Sequence, residues 1–349
     1  MRKMLNNKFK RSAKLKILVI RLSSIGDIIL TTPVLEAIKD KYPDAILDFL
    51  VMDKFKDAIS GNRYIDNLIV FEKEKFKGIS GIIQFSKKLN KNHYDIIIDL
   101  HSKIRTILFS SFINGKVLRY KKRSWWKAPL VRLRWIRYKV DDTIVRNYFK
   151  PLNKLEIFYT REKLKFDYKI NDIENVKNFN DFIVMAPGAA NYTKKWPKEY
   201  FSEFGKRLRG QIVLIGGKDD FNDFEFIKNE VGDKCVNLAG KLNLKESGAL
   251  ISQSKYVITN DSGPFHIARG VDTKVFVIFG PTDPGMFEYD EDSILLFEDV
   301  QCSPCSLHGN KKCPKGHFKC MKDLTPEKVY KIVEENVRQK HLFPPDNSL

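Results

Sequence analysis

Two short stretches place reactive side chains on glycine-containing turns. The first is Arg21-Leu22-Ser23-Ser24-Ile25-Gly26-Asp27, which ends the apolar run KILVIR. A carboxylate on such a turn can take the proton of an attacking hydroxyl. Asp27 can equally cap a helix beginning at Ile28. Ser24 and Gly26 would shape the turn and let an acceptor approach. The second is Asn260-Asp261-Ser262-Gly263-Pro264-Phe265-His266. Asp261 and Ser262 are N-cap residue types, and Pro264 suits a first helical turn. Gly263 lets backbone come close to a ligand. A helix N-terminus after a strand presents free N–H groups and a positive dipole end, which suits a phosphate or diphosphate. His266 falls in the first turn beside it. A plain, well-capped βα turn with a structural histidine is the other reading.

Further candidates lie between and around these turns. Pro187-Gly188-Ala189 precedes Thr193-Lys194-Lys195-Trp196-Pro197. Lys194 is placed to neutralise charge building on a leaving diphosphate. Trp196 reads as a packing residue that fixes the loop. Gly216-Gly217 leave room for a ribose or a base edge. Gly240-Lys241-Leu242 form a turn before a helix. Lys103 and Arg105, in His101-Ser102-Lys103-Ile104-Arg105, can bind an anionic acceptor or simply start a solvated helix.

The elements that must hold these residues alternate between strand and helix. Strands are expected at Lys16 to Arg21, Ala45 to Val51, Leu68 to Phe71 and Tyr94 to Leu100, with helices at Ile28 to Lys41 and Ile79 to Asn90. A second series has strands at Phe182 to Met185, Gln211 to Ile215, Tyr256 to Thr259 and Lys274 to Phe279. Its helices are Lys198 to Leu208 and Leu244 to Ser254. This alternation predicts an α/β architecture of doubly wound parallel sheets. Each candidate turn then falls at the C-terminal edge of a strand, where such sheets bind ligands.

A chain of 349 residues is long enough for two domains. The boundaries read as a basic arm over 1–14, a first domain over 15–170, a second over 171–325, and a final helix with its tail over 326–349. Lys and Arg total 62 against 43 Asp and Glu, a net charge of +19, which favours an anionic partner. Lys116 to Lys139 is densely basic, has no acid, and interleaves Trp125, Trp126 and Trp135. Such a stretch suits an anionic membrane interface or a single-stranded nucleic acid. No nucleic-acid-binding module accompanies it, so nucleic acid is not the expected partner. No apolar run is long enough to cross a membrane. The start of the chain has no signal-peptide pattern, so a cytoplasmic location is expected. No G-x-G-x-x-G follows the first strand and no Walker motif occurs, which argues against a dehydrogenase or a P-loop enzyme. Cys235 reads as a buried small hydrophobe. Cys302, Cys305, Cys313 and Cys320 cluster with His308 and His317, either as a packed reduced loop or as a zinc knot.

D-S-G-P-x-H followed by F-G-P-T-D-P, the R-L-S-S-I-G-D turn, and P-G-A with K-K-W-P together resemble the bacterial ADP-heptose:lipopolysaccharide heptosyltransferases, glycosyltransferase family 9. The motifs occur in order and span most of the chain. The resemblance implies a GT-B fold of two Rossmann-like domains facing across a cleft, with a C-terminal helix crossing back. It implies inverting, metal-independent transfer of heptose from ADP-heptose to the inner core on lipid A, at the inner face of the inner membrane. No cofactor and no metal would be needed. Asp27 matches the proposed catalytic base. Lys194 matches a lysine that contacts the donor nucleotide. Thr193, Gly217, Asp261, Ser262, Gly263 and His266 would join it at the donor, and Lys241 and Leu242 would border the adenine. Ser24, Gly26, Lys103 and Arg105 would face the acceptor. The family often has glutamine where His101 stands, so His101 is given no proton-transfer role. A family member using another sugar or a protein acceptor fits the same motifs. A nucleic-acid-binding protein using the basic stretch would explain the charge but not Asp27 or the ordered motifs.

Overall fold

A computed structural model describes residues 14–121, 140–174, 176 and 178–342. The first domain is built on strands β1 (Lys16–Ile20), β2 (Ile46–Met52), β3 (Asn67–Phe71), β4 (Ile96–Asp99) and β5 (Lys116–Arg119). They form one parallel sheet in the order β3-β2-β1-β4-β5. Its helices are α1 (Ile25–Ile29), α2 (Thr32–Lys41), α3 (Gly78–Asn90) and α4 (Ile104–Ser111). Two further helices, α5 (Ile144–Phe149) and α6 (Ile170–Glu174), lie on the way to the second sheet.

The second domain contains β6 (Phe182–Ala186), β7 (Gln211–Leu214), β8 (Cys235–Asn237), β9 (Val257–Asn260), β10 (Val275–Phe279) and β11 (Ser293–Phe297). They also pair in parallel, in the order β11-β10-β9-β6-β7-β8. Helices α7 (Lys198–Arg207), α8 (Phe221–Val231), α9 (Leu244–Gln253) and α10 (Gly263–Gly270) connect them. Near the C-terminus are α11 (Lys319–Lys322) and α12 (Pro326–Leu342).

The central strands are buried on both faces. Ile17 to Ile20 and Val275 to Phe279 are fully covered, which explains their continuous apolar composition. Both sheets change winding direction beside their first strand, between β1 and β4 and between β6 and β9. A crevice opens at such a switch point, outside the carboxyl ends of the strands. The two reactive turns follow β1 and β9, so each sits at its own switch point.

Several expectations shift in detail. The helix expected from Ile28 to Lys41 is two helices, because Ser24 caps a short first one and Pro33 opens the second. β5 forms at the start of the basic stretch; residues 122–139, with its tryptophans, lie outside the described residues, as does the arm over 1–13. The final helix, expected to cross back onto the first domain, packs Val329 and Val333 into the second domain's core with Trp196, Phe201 and Phe204.

Contacts between the domains are extensive. Phe166 donates its N–H to Gly270 O at 2.8 Å. The buried Arg269 guanidinium meets Glu162 at 2.6 Å. The Val140 N–H reaches Asp283 at 2.9 Å, and Arg146 pairs with Glu288 at 2.8 Å.

Candidate active site

Asp27 is the third residue of α1, and Ser24 is its N-cap. The Ser24 hydroxyl donates to Asp27 Oδ2 at 2.8 Å and the Ser24 N–H at 3.2 Å. Arg21 Nη2 approaches the same oxygen at 2.8 Å. Among the described residues, Asp27 Oδ1 has no partner. Burial alone would raise the Asp27 carboxyl, but the Arg21 charge and the Ser24 hydrogen bonds outweigh it and hold the group well below the usual carboxylate range. Asp27 is therefore ionised at neutral pH, with one oxygen committed and one open.

Arg21 is a residue the sequence reading passed over. Its Nε–H donates to Ser23 O at 2.9 Å and Nη1 to Leu100 O at 2.6 Å. Its guanidinium also lies over the Tyr148 ring, 5.5 Å from the centroid. Leu100 directly follows β4, so Arg21 bridges the first switch point while holding Asp27. An arginine closing a buried strand, six residues before an aspartate, was the available signal.

On the other side, Ser262 caps α10 and Gly263 opens it. Lys194 Nζ lies 2.6 Å from Asp261 Oδ2, and the Thr282 hydroxyl donates to the same oxygen at 2.9 Å. Asp261 thus fixes three loops together and holds the Lys194 ammonium at the mouth of α10. Asn260, also unremarked in the sequence, donates Nδ2–H to Pro187 O at 2.6 Å and accepts the Trp196 N–H at 3.0 Å. It bridges the second switch point. Trp196 is buried as expected, and its indole N–H reaches Leu324 O at 2.8 Å.

The two turns meet across the domains. A Cβ built on Gly26 would stand 2.3 Å from His266 Cδ2, so only glycine fits against that ring. A Cβ on Gly263 would contact Ile25 at 3.5 Å. His266 is buried, and its Nδ1 has no hydrogen-bond partner among the described residues. Burial, helped by the nearby Arg269 charge, pushes its pKa down to about 4, so the imidazole is neutral at pH 7. It can offer a hydrogen bond to an anion there but not a positive charge.

A groove of about 790 Å³ opens beside this junction, lined by Pro187, Gly188, Gly217, Ser262 and Pro264 among others. Lys195 also lines it and pairs with Asp220 at 2.8 Å. Thr193 sits differently from its donor-binding assignment. Its side chain is buried and exchanges hydrogen bonds with Asn310 at 3.0 and 2.7 Å. That hydroxyl is committed to holding the cysteine loop. The Thr282 hydroxyl is likewise committed, to Asp261. Leu242 is half-buried against the core and Lys241 is exposed in the turn before α9. On the first domain, Lys103 and Arg105 lie at the start of α4, with Lys103 exposed.

The cysteine loop closes over the donor-side loops. The N–H groups of Cys305 and Ser306 both donate to Pro281 O at 3.0 Å, and Phe318 stacks on Tyr192 with centroids 5.5 Å apart. Cys302, Cys305, Cys313 and Cys320 are not joined in disulfides. Burial, then the neighbouring cysteines, push the Cys320 thiol up to about 12. Among the described residues, no three His, Cys, Asp or Glu side chains are arranged to hold a metal ion. Cys235 is buried on β8, as expected.

A model of glycosyltransferase family 9 (heptosyltransferase) matches residues 82–316. Lipooligosaccharide heptosyltransferase 2 of Campylobacter jejuni is 28% identical over 91% of this chain and 97% of its own length. Among solved structures, a family 9 glycosyltransferase from Veillonella parvula superposes with a TM-score of 0.78 at 22% identity, covering 94% of this chain and 99% of that one. The Escherichia coli ADP-heptose lps heptosyltransferase II gives 0.71 at 20% identity, covering 94% and 100%. These likenesses establish the fold as GT-B, two parallel-sheet α/β domains. The chain belongs to glycosyltransferase family 9, the heptosyltransferases, and is a glycosyltransferase.

Proposed function

We propose that this enzyme transfers a heptose from ADP-heptose to the inner core of a lipid A-linked acceptor, with inversion at the anomeric carbon. The observation that carries this reading is the partition of the Asp27 carboxylate. Oδ2 is committed to Arg21 and Ser24, while Oδ1 has no partner among the described residues. Asp27 Oδ1 accepts the proton of the acceptor hydroxyl as that oxygen attacks the anomeric carbon. The bond to ADP breaks on the opposite face, which inverts the centre.

The departing diphosphate is met by positive charge from the protein. Lys194 supplies an ammonium, the N–H groups at the start of α10 supply a dipole end, and neutral His266 supplies a hydrogen bond. In this reading Lys194 exchanges Asp261 for phosphate oxygen when the donor binds. The chain's own cations then take the role that a divalent metal has in other sugar-nucleotide enzymes. The named relatives, a lipooligosaccharide and an ADP-heptose lps heptosyltransferase, favour this donor and acceptor. Gly217 fits beside the ribose or base, and Lys241 and Leu242 beside the adenine. Ser24, Lys103 and Arg105 line the acceptor side, while Gly26, expected there, is buried against the His266 ring. The enzyme would work in the cytoplasm, peripherally at the inner membrane; no described helix is long and apolar enough to cross it.

The test is release of ADP from ADP-heptose, with metal chelated, with and without a core-oligosaccharide acceptor. Acceptor-dependent release that Asp27→Asn lowers by about 10²–10⁴-fold is expected. ADP binding without release would send the assignment to another sugar or acceptor. Full activity of Asp27→Asn would remove the base.

A further inference from the structure

Nine large apolar side chains of the described residues are exposed, and four of them lie on or beside one pair of helices. These are Ile79 on α3, Ile104 and Ile107 on α4, and Phe112 just after it. Ile104 is 79% exposed and Ile79 65%, the first and third most exposed of the set. The two helices lie side by side, with Phe85 of α3 against Phe109 of α4 at 5.6 Å between centroids. The inner face of α4 is accounted for by Thr106, Phe109 and Ser110, all buried. Ile104 and Ile107 put aliphatic side chains on its solvent side as well, where an ordinary surface helix carries polar ones.

The two helices themselves carry charge of one sign. Neither α3 nor α4 contains an acidic residue, although the N-terminal turn of a helix is where acids are most favoured. Lys77 precedes α3, and Lys103 and Arg105 flank Ile104. Aliphatic side chains ringed by cations at two positive helix ends complement an anionic lipid surface. The place also fits. Both helices begin at the carboxyl edge of the first sheet, the edge that carries Asp27. Arg21 ties the Asp27 turn directly to Leu100, four residues before Ile104.

We infer that the outer face of α3 and α4 is the surface by which the enzyme docks on an anionic membrane, its isoleucines entering the headgroup region beside the acceptor entrance. The inference rests on the proposed lipid-anchored acceptor for its biological sense, but the docking itself is measured without donor or acceptor.

The full chain is sedimented with vesicles of phosphatidylcholine alone and with vesicles containing phosphatidylglycerol. Wild type is expected to prefer the anionic vesicles. Ile79→Ser/Ile104→Ser/Ile107→Ser is expected to lose at least about tenfold in vesicle affinity. A control, Phe158→Ser/Ile170→Ser, removes two equally exposed apolar side chains elsewhere and should bind as wild type does. The triple variant should transfer to a water-soluble, deacylated acceptor at the wild-type rate and show a raised KM only for acceptor embedded in vesicles. Unchanged vesicle binding by the triple variant overturns the inference, and so does an equal loss in the control. A wild-type dimer that the triple variant converts to monomer, with vesicle binding intact, would make the face a self-association surface instead. Failure to use the soluble acceptor at all, with vesicle binding as expected, would overturn the acceptor assignment and leave the docking surface standing.

Discussion

The turns after β1 and β9 use the same device in opposite senses. Each holds a carboxylate against a cation, at a switch point bridged by a side chain hydrogen-bonded to the carbonyl of the neighbouring strand's loop. In the first, the cation is locked and the carboxylate is reachable: Arg21 is 9% exposed and Asp27 32%. In the second, the carboxylate is the more buried member, with Asp261 at 7% and Lys194 at 16%. Arg21 spends its other donors on Ser23 O and Leu100 O, so it cannot leave. Lys194 has Asp261 as its one ionic partner among the described residues and can exchange it. A carboxylate–cation pair therefore presents a base on one wall of the cleft and a cation on the other. What decides is which member the surrounding backbone fixes.

The comparison can be broken from either wall. The largest effect after loss of Asp27 belongs to Lys194→Ala, which should lower turnover by about two to three orders of magnitude, roughly 2.7–4 kcal/mol of barrier. Steady-state kinetics with a folded variant, verified by circular dichroism, measures it. Near-wild-type turnover would mean that the lysine serves only to pair with Asp261.

Gly26→Ala tests the contact between the walls. Its Cβ would overlap the His266 ring, and overpacking of this kind costs about 1–3 kcal/mol. Denaturant unfolding should show that loss, and combining it with His266→Ala should recover most of it. Additive losses in the double variant would separate the two residues.

Arg21→Met tests the first ion pair through pH. With Arg21 present, the Asp27 carboxyl titrates below its usual range, so the ionised base persists at low pH. Removing the guanidinium lets that value rise, and the acid limb of the turnover profile should move up by about 1–3 pH units. The pair's contribution to stability follows the same sign: present above the ordinary carboxylate pKa, and lost as pH falls through the lower folded value. A variant that loses turnover uniformly, with an unmoved acid limb, would give Arg21 only a structural part.

Much of this site is legible as local chemistry. Ser262 and Pro264 announced a helix N-terminus, and the apolar runs around Lys16 and Val275 announced buried parallel strands. The short cap at Ser24 was harder, because Asp27 fits both the N-cap and the third helical position. Short edge strands were the least visible: β5 lies inside a run of basic residues and β8 has only three residues, so neither carries a full alternation or apolar run. Thr193 was assigned to the donor because it adjoins Lys194, yet its hydroxyl belongs to Asn310, which is remote in sequence.

The sequence alone determined the two parallel sheets, the turns that carry Asp27, Lys194 and Ser262, and the family to which they belong, because caps, glycines and apolar runs act within a few residues. Only the tertiary structure decided which oxygen of Asp27 is open, that Lys194 rests on Asp261, and that Gly26 faces His266. Lys194 and Asp261, like Gly26 and His266, are remote in sequence and meet only through tertiary packing, and the Arg21 that occupies one oxygen of Asp27 is itself held by the carbonyl of Leu100, 79 residues away.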